Sequence, residues 1–183
     1  MHSSLDGFVA KVNGEMDWIT VDDEIFEFVT TMTDQADTAL YGRVTYEMME
    51  DYWPNAADRP DASKHDKEHS VWYNNVQKVV LSKTISEVGL KNTKVISDNL
   101  YENINNLKQQ PGKNILIFGS PGAFNSLLNT GLIDDYWIFV NPIILGQGIP
   151  LFKNVFDIIR LRFVESKIFM SGVNALHYSV LGS

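Results

Sequence analysis

NILIFGSPGAFNSLL, residues 114–128, passes from an unbroken apolar run into a helix-period pattern across a four-residue turn. Ile115 to Phe118 carry no polar side chain. The run therefore reads as a strand covered on both faces, central in a sheet flanked by helices. Gly119-Ser120-Pro121-Gly122 interrupts it. Pro121 suits the first turn of a helix, where its missing N–H matters least. Gly122 to Asn129 reads as a helix, with Gly131 as its stop. Where a strand ends and a helix begins, the first N–H groups lack partners and the helix dipole is positive, and glycine lets an anion approach the backbone. The turn is neither GxGxxG nor a Walker loop, and no Lys-Ser/Thr pair follows. Two readings stand on this stretch alone: a cradle for a nucleotide phosphate, or an ordinary strand-to-helix turn.

Two further stretches repeat the architecture. In LYGRVTYEMM, residues 40–49, a strand over Ala36 to Gly42 runs into a helix that Pro54 is expected to stop. Arg43 and Thr45 fall in its first turn. A cation there opposes the helix dipole, so a bound anion or plain solvation must account for Arg43. In VVLSKT, residues 79–84, a buried strand ends in two hydroxyls beside a cation, a group suited to a phosphate or simply a polar exit. Ligands of open α/β sheets collect outside the carboxyl ends of the strands, so three such exits on one sheet carry more weight than any one.

The rest of the chain fits around this pattern. Thr20 reads as a helix N-cap with Asp23 as its capping-box partner, followed by the stripe Ile25, Phe28, Val29, Met32. Lys64 to Asn74 and Asn99 to Gln110 read as helices, and Thr93 to Ser97 as a strand. DDYWIFVNPIIL (134–145) reads as a strand and GQGIPLF (146–152) as a loop. RLRFVESKIF (160–169) and ALHYSVL (175–181) alternate like the arms of a hairpin. Strand–helix alternation followed by an antiparallel end predicts an α/β fold: a mixed, mostly parallel central sheet flanked by helices, with a C-terminal antiparallel hairpin. At 183 residues and 44% hydrophobic, the chain suits a single domain with a sizeable core. A net charge of −8 without a basic stripe disfavours nucleic acid. The absence of cysteine removes disulfides, thiolate nucleophiles and Cys-held metals. No apolar run reaches membrane-span length, and MHSSLDG does not have the form of a signal peptide, so a soluble, cytoplasmic protein is expected.

Taken in order, SLDGFVA, MDW, DDE, LYGRVTYEMM, VVLSKT, ILIFGSPGAFNSLL, GLIDDY and NPIILGQGIPLF resemble the dihydrofolate reductase-like family. Within it they resemble the branch related to the C-terminal reductase domain of the bacterial riboflavin-synthesis deaminase/reductase. The resemblance covers nearly the whole chain. It implies NADPH-dependent reduction of pterin-, pyrimidine- or sugar-amine-type small molecules. By position it puts Gly42, Arg43 and Thr45 at the cofactor phosphates and Ser82 and Lys83 at the adenosine 2′-phosphate. It puts Gly119, Ser120, Gly122 and Ala123 along the pyrophosphate and nicotinamide ribose, and Ala10 near the nicotinamide. Asp6 and Trp18 would border the substrate. For the proton donor, counting without gaps from Trp18 reaches Asp23, whereas the helical wheel sets Asp22 closer to the apolar stripe. Both stay open, as does capping. Glu27 stands where dihydrofolate reductases place an apolar substrate contact. The family's first strand is represented here by Met1-His2-Ser3-Ser4 only, so either that strand is nearly absent or residues upstream are missing.

An NADPH-dependent reductase is the leading expectation. A non-catalytic nucleotide- or small-molecule-binding module on the same fold is the alternative, and a homodimer built on DDYWIFVNPIIL and the late hairpin is compatible with both. His65 and His69, four apart in a polar segment, read as a solvated helix face and not as a metal pair. No metal is expected. His177 reads as a strand-face residue, and Trp18 alone of the tryptophans has a ligand role.

Overall fold

The computed structural model describes residues 1–86 and 89–182. In chain order its elements are β1 (His2–Ser3), β2 (Phe8–Ala10), α1 (Asp23–Thr33), β3 (Ala36–Gly42), α2 (Arg43–Tyr52), a 3-10 helix (Trp53–Asp58), α3 (Lys64–Asn75), β4 (Gln77–Leu81), β5 (Thr93–Ile96), α4 (Leu100–Lys108), β6 (Asn114–Ile117), α5 (Pro121–Leu128), β7 (Asp135–Val140), β8 (Ile149–Pro150), β9 (Leu161–Ile168) and β10 (Asn174–Val180). The fold is mixed α/β, with a parallel sheet flanked by helices and a C-terminal antiparallel hairpin. The chain divides into two compact units, Asp23–Ala123 and Met1–Asp22 with Phe124–Ser183.

The unit Asp23–Ala123 is built on a parallel sheet of order β5-β4-β3-β6. The middle of β3 and of β4 is apolar and covered, with Ala39, Leu40, Tyr41, Val79 and Val80 buried. β6, expected at the centre, lies instead at the end of this sheet, with Ile115 to Ile117 half-buried. A short apolar run shows that a strand has cover and does not show on how many sides it has neighbours. Lys78 is buried in β4 with its ammonium 4.5 Å from the Tyr73 ring, and the Tyr73 hydroxyl donates to Glu50 at 2.7 Å. Burial pushes the Lys78 ammonium pKa down and the nearby Glu50 carboxylate opposes that shift.

α2 ends at Tyr52, just before Pro54 as expected, and a 3-10 helix carries the chain on from Trp53. Two local expectations change in this unit. α1 begins at Asp23, so the Thr20–Asp23 capping box does not form. His65 and His69 are not a solvated face. His65 stacks on Phe26 at 3.8 Å, and His69 lies among Trp53, Trp72 and Phe118. Aromatic rings from α1, the 3-10 helix and the end of β6 cover a helix face whose own sequence is polar. α3 itself starts on the Ser63–Asp66 capping box.

The other unit carries a sheet of order β1-β7-β10-β9 and the two-stranded pair β2-β8. His2 and Ser3 of β1 pair in parallel with Phe139 and Val140. β7 ends at Val140 and does not run on to Leu145. Buried Asn141 closes it: its amide group donates to the carbonyls of Ser3 and Phe139 and accepts the Thr20 N–H at 3.0 Å, and Pro142 follows. β9 and β10 form the expected hairpin, turning at Gly172 (φ +84°) with a bulge at Val164.

Candidate cofactor site

The sheet register lines up three turns at one edge. Gly42 of β3 pairs with Leu81 of β4, and Leu40 of β3 pairs with Ile117 of β6. Arg43 and Ser82 therefore leave adjacent strands side by side, and Gly119 follows two residues beyond the last β3–β6 pair. Strands in a sheet lie about 4.8 Å apart, so the GRVT, LSKT and GSPG turns form a row with GRVT in the middle.

Each turn has a local cause. Gly42 is the N-cap of α2 with no side-chain cap, and its N–H donates to the Ser120 hydroxyl oxygen at 2.7 Å. Gly119 adopts φ +47°, a left-handed conformation that glycine takes without the steric cost of a Cβ. A Cβ built at Gly119 or at Gly122 meets nothing within 4 Å, so the backbone at both positions is open to a ligand. Pro121 starts α5 as expected. At the end of β4 the Ser82 hydroxyl oxygen accepts the Thr84 and Ile85 N–H groups at 3.1 and 3.2 Å, which folds the exit into a tight turn and leaves Lys83 exposed.

Arg43 has a local partner that its helix-start position does not advertise. Its guanidinium donates to both Glu47 carboxylate oxygens, at 3.0 and 2.8 Å, one turn along α2. Both side chains are about half exposed, at 46% and 50%, and such a surface pair contributes little, so an incoming phosphate can displace Glu47. Thr45, Ser120 and Ala123 are buried behind the exposed glycines.

The residues expected on the substrate side are held as follows. Ala10 is buried in β2, opposite Ile149 of β8. Gly148 must lack a side chain, because a Cβ there would collide with the Ala10 carbonyl oxygen. Asp6 is exposed, and its carboxylate accepts the Leu145 and Gly146 N–H groups at 3.1 and 2.7 Å. The Ser4 hydroxyl and then these two amides hold its pKa below the usual carboxylate range. The Trp18 indole N–H is buried without a hydrogen-bond partner, the condition of a donor that a bound ligand or water satisfies. Asp22 is half-buried immediately before α1, whereas Asp23 and Glu27 are exposed on it.

Sequence reasoning missed the link from Ser120 to Gly42, which spans 78 positions and has no local signature. It also missed the aromatic packing around His69. The polar neighbours of that residue pointed to solvent, and only the i, i+3 spacing of His69 and Trp72 hinted at a shared face.

Comparisons with known proteins bear on the family and the fold. Residues 1–175 match the family described as RibD C-terminal domain. The chain is 35% identical over 177 residues to YyaP of Bacillus subtilis (strain 168), described as uncharacterized, covering 96% of this chain and 89% of that protein. A solved structure of a protein provisionally assigned to riboflavin biosynthesis from Shewanella sp. PV-4 superposes with a TM-score of 0.75 at 22% identity, covering 98% of this chain and 96% of that one. Dihydrofolate reductase from Enterococcus faecalis, complexed with NADP(H), gives 0.64 at 16% identity, covering 98% and 93%. With its family match over nearly the whole length and the dihydrofolate reductase-like fold, the chain belongs to the RibD C-terminal domain family.

Proposed function

We propose that this protein is an NADPH-dependent reductase that delivers a hydride to a pterin-, pyrimidine- or sugar-amine-type small molecule. The observation that carries the reading is the row of three turns, with open backbone at Gly119 and Gly122 and cations at Arg43 and Lys83. The donor set fits the cofactor. A diphosphate needs close backbone approach and amide donors at helix starts, and a 2′-phosphate needs a cation. When bound, NADPH supplies the hydride. Arg43 and Lys83 hold its phosphates, and Ser82 shapes the turn that presents Lys83. On the substrate side we assign Ala10 to the nicotinamide contact, Trp18 and Asp6 to the pocket border, and the proton to Asp22. Its half-burial suits a carboxyl that orients or protonates a substrate nitrogen better than the exposure of Asp23 does. Titration with NADPH and NADH, followed by nicotinamide fluorescence, tests the reading. Binding of NADPH in preference to NADH supports it, and no binding of either at millimolar concentration overturns it. Oxidation of NADPH in a screen of pterins and aminopyrimidines separates the reductase from a non-catalytic binding module.

We infer further that the working form is a homodimer. The hairpin sorts its side chains by face. Leu161, Phe163 and Ile168 stand opposite Val180, Tyr178 and Asn174, while Arg162, Glu165 and Lys167 stand on the other face opposite Ser179, His177 and Ala175. The apolar face is open, with Phe163 56% and Ile168 73% exposed, and the preceding segment adds Phe156 at 78% and Ile158 at 83%. That segment is held and not loose. Asn125 of α5 and Asn129 just beyond it donate to the carbonyls of Leu151 and Asn154 and accept the N–H groups of Lys153 and Phe156. Phe156, Ile158 and Leu161 line a pocket of about 420 Å³ with Leu128, Tyr136 and Phe152. An ordered, open apolar surface of this kind suits a self-complementary contact about a two-fold axis.

A further inference from the structure

We infer that Ser120 is a positioning residue that sets the spacing between the two helix starts of the cofactor site by acting through Gly42. The inference rests on the cofactor reading above. The last rung between β3 and β6 is Leu40 with Ile117, and beyond it the two backbones diverge towards α2 and α5. Two to three residues further on, the Ser120 hydroxyl oxygen accepts the Gly42 N–H at 2.7 Å. A side chain here continues a link that the backbone ladder has given up, so the turns stay tethered while their backbones separate. Ser120 is 2% exposed, which keeps water from competing for the bond and keeps the hydroxyl behind the open glycines.

The arrangement needs a particular residue on each side. A Cβ at Gly42 would stand 3.1 Å from the Ser120 oxygen and 3.5 Å from the Ala123 nitrogen, so any larger residue at Gly42 presses on the hydroxyl. The Gly42 backbone itself (φ −84°, ψ 164°) suits any residue, so crowding and not conformation demands glycine. At Ser120 the side chain must be short, buried and able to accept. The amides that follow in the first turns of α2 and α5 lack intrahelical acceptors, and the tether holds the two sets in fixed relation for a diphosphate.

The test begins on the ligand-free protein. Ser120→Ala is expected to speed hydrogen exchange at the Gly42 amide about tenfold and to move its proton resonance upfield. NADPH affinity should fall about tenfold in the same variant, with the circular dichroism unchanged. Gly42→Ala should destabilise the wild-type background and have a clearly smaller effect in the Ser120→Ala background, where the oxygen it presses on is gone. This stability cycle needs no ligand. Unchanged Gly42 exchange in Ser120→Ala, or additive effects in the cycle, would overturn the tether. A loss of affinity with unchanged Gly42 exchange would make Ser120 a direct ligand contact instead. Wild-type protein that binds neither nucleotide would overturn the cofactor reading and this use of the tether with it. Wild-type protein that binds NADPH, beside a Ser120→Ala variant that binds as well, would overturn the positioning role alone.

Discussion

Arg43 sits at the start of α2, where the dipole disfavours a cation, and its guanidinium rests on Glu47 one turn along. An exposed pair of this kind holds the arginine in place without committing it. On the proposed site, Lys83→Ala is expected to weaken NADPH about tenfold and to leave NADH within about twofold, whereas Arg43→Ala is expected to weaken both cofactors about tenfold through the diphosphate they share. Fluorescence titrations at low and high salt check this, and the difference between the cofactors should shrink as salt rises. Gly119 is sensitive for a different reason. Its φ of +47° costs a residue with a Cβ about 1–2 kcal/mol, and a methyl group there also occupies the open backbone. Gly119→Ala should therefore lower both the denaturation midpoint and NADPH affinity. Asp22→Asn should cut turnover by two orders of magnitude or more at unchanged NADPH affinity, and Asp23→Asn should be near neutral. The reverse ranking in steady-state assays would move the proton to Asp23.

At the scale of elements, α3 shows how tertiary packing overrides local character. Its sequence, KHDKEHSVWYNN, is polar, yet His69 is half-buried among Trp53, Trp72 and Phe118. Desolvation, with a smaller push from His65, lowers the His69 pKa from 6.5 to about 3, and burial also lowers that of His65. In the unfolded chain both titrate near 6.5, so between pH 6.5 and about 3 the unfolded state binds more protons. The stability these two histidines contribute should be full above pH 6.5 and be lost progressively as pH drops towards 3. Denaturant unfolding at a series of pH values checks the slope. His69→Phe should flatten it without shifting the midpoint at pH 8 by more than about 1 kcal/mol, because the ring packing is kept.

For the whole molecule, the exposed apolar face of β9 is where the proposed homodimer is put to the test. If two copies meet there, Phe163→Glu or Ile168→Asp should convert a dimer to a monomer by light scattering while leaving the circular dichroism intact. Arg162→Glu on the opposite face should not. A wild-type protein that scatters as a monomer at micromolar concentration would remove this surface from consideration. Among the described residues no helix is long and apolar enough to cross a membrane.

Much of the fold was legible because periodicity and turn chemistry are local. The strand Ala36–Gly42, the α3 helix, the 171–174 turn and the turns that end β3, β4 and β6 follow from neighbouring residues, and the ordered series of motifs carried the family. The sequence by itself thus determined which residue types stand at the ends of which strands. It could not determine which strands are neighbours. β6 at the sheet's end, His69 in an aromatic nest, Asn141 closing β7 and Ser120 bound to Gly42 were all decided by tertiary structure. The physical reason is common to them: burial and hydrogen bonding depend on groups far away in sequence, and a side chain's own neighbours in the chain carry no record of what the fold brings against it.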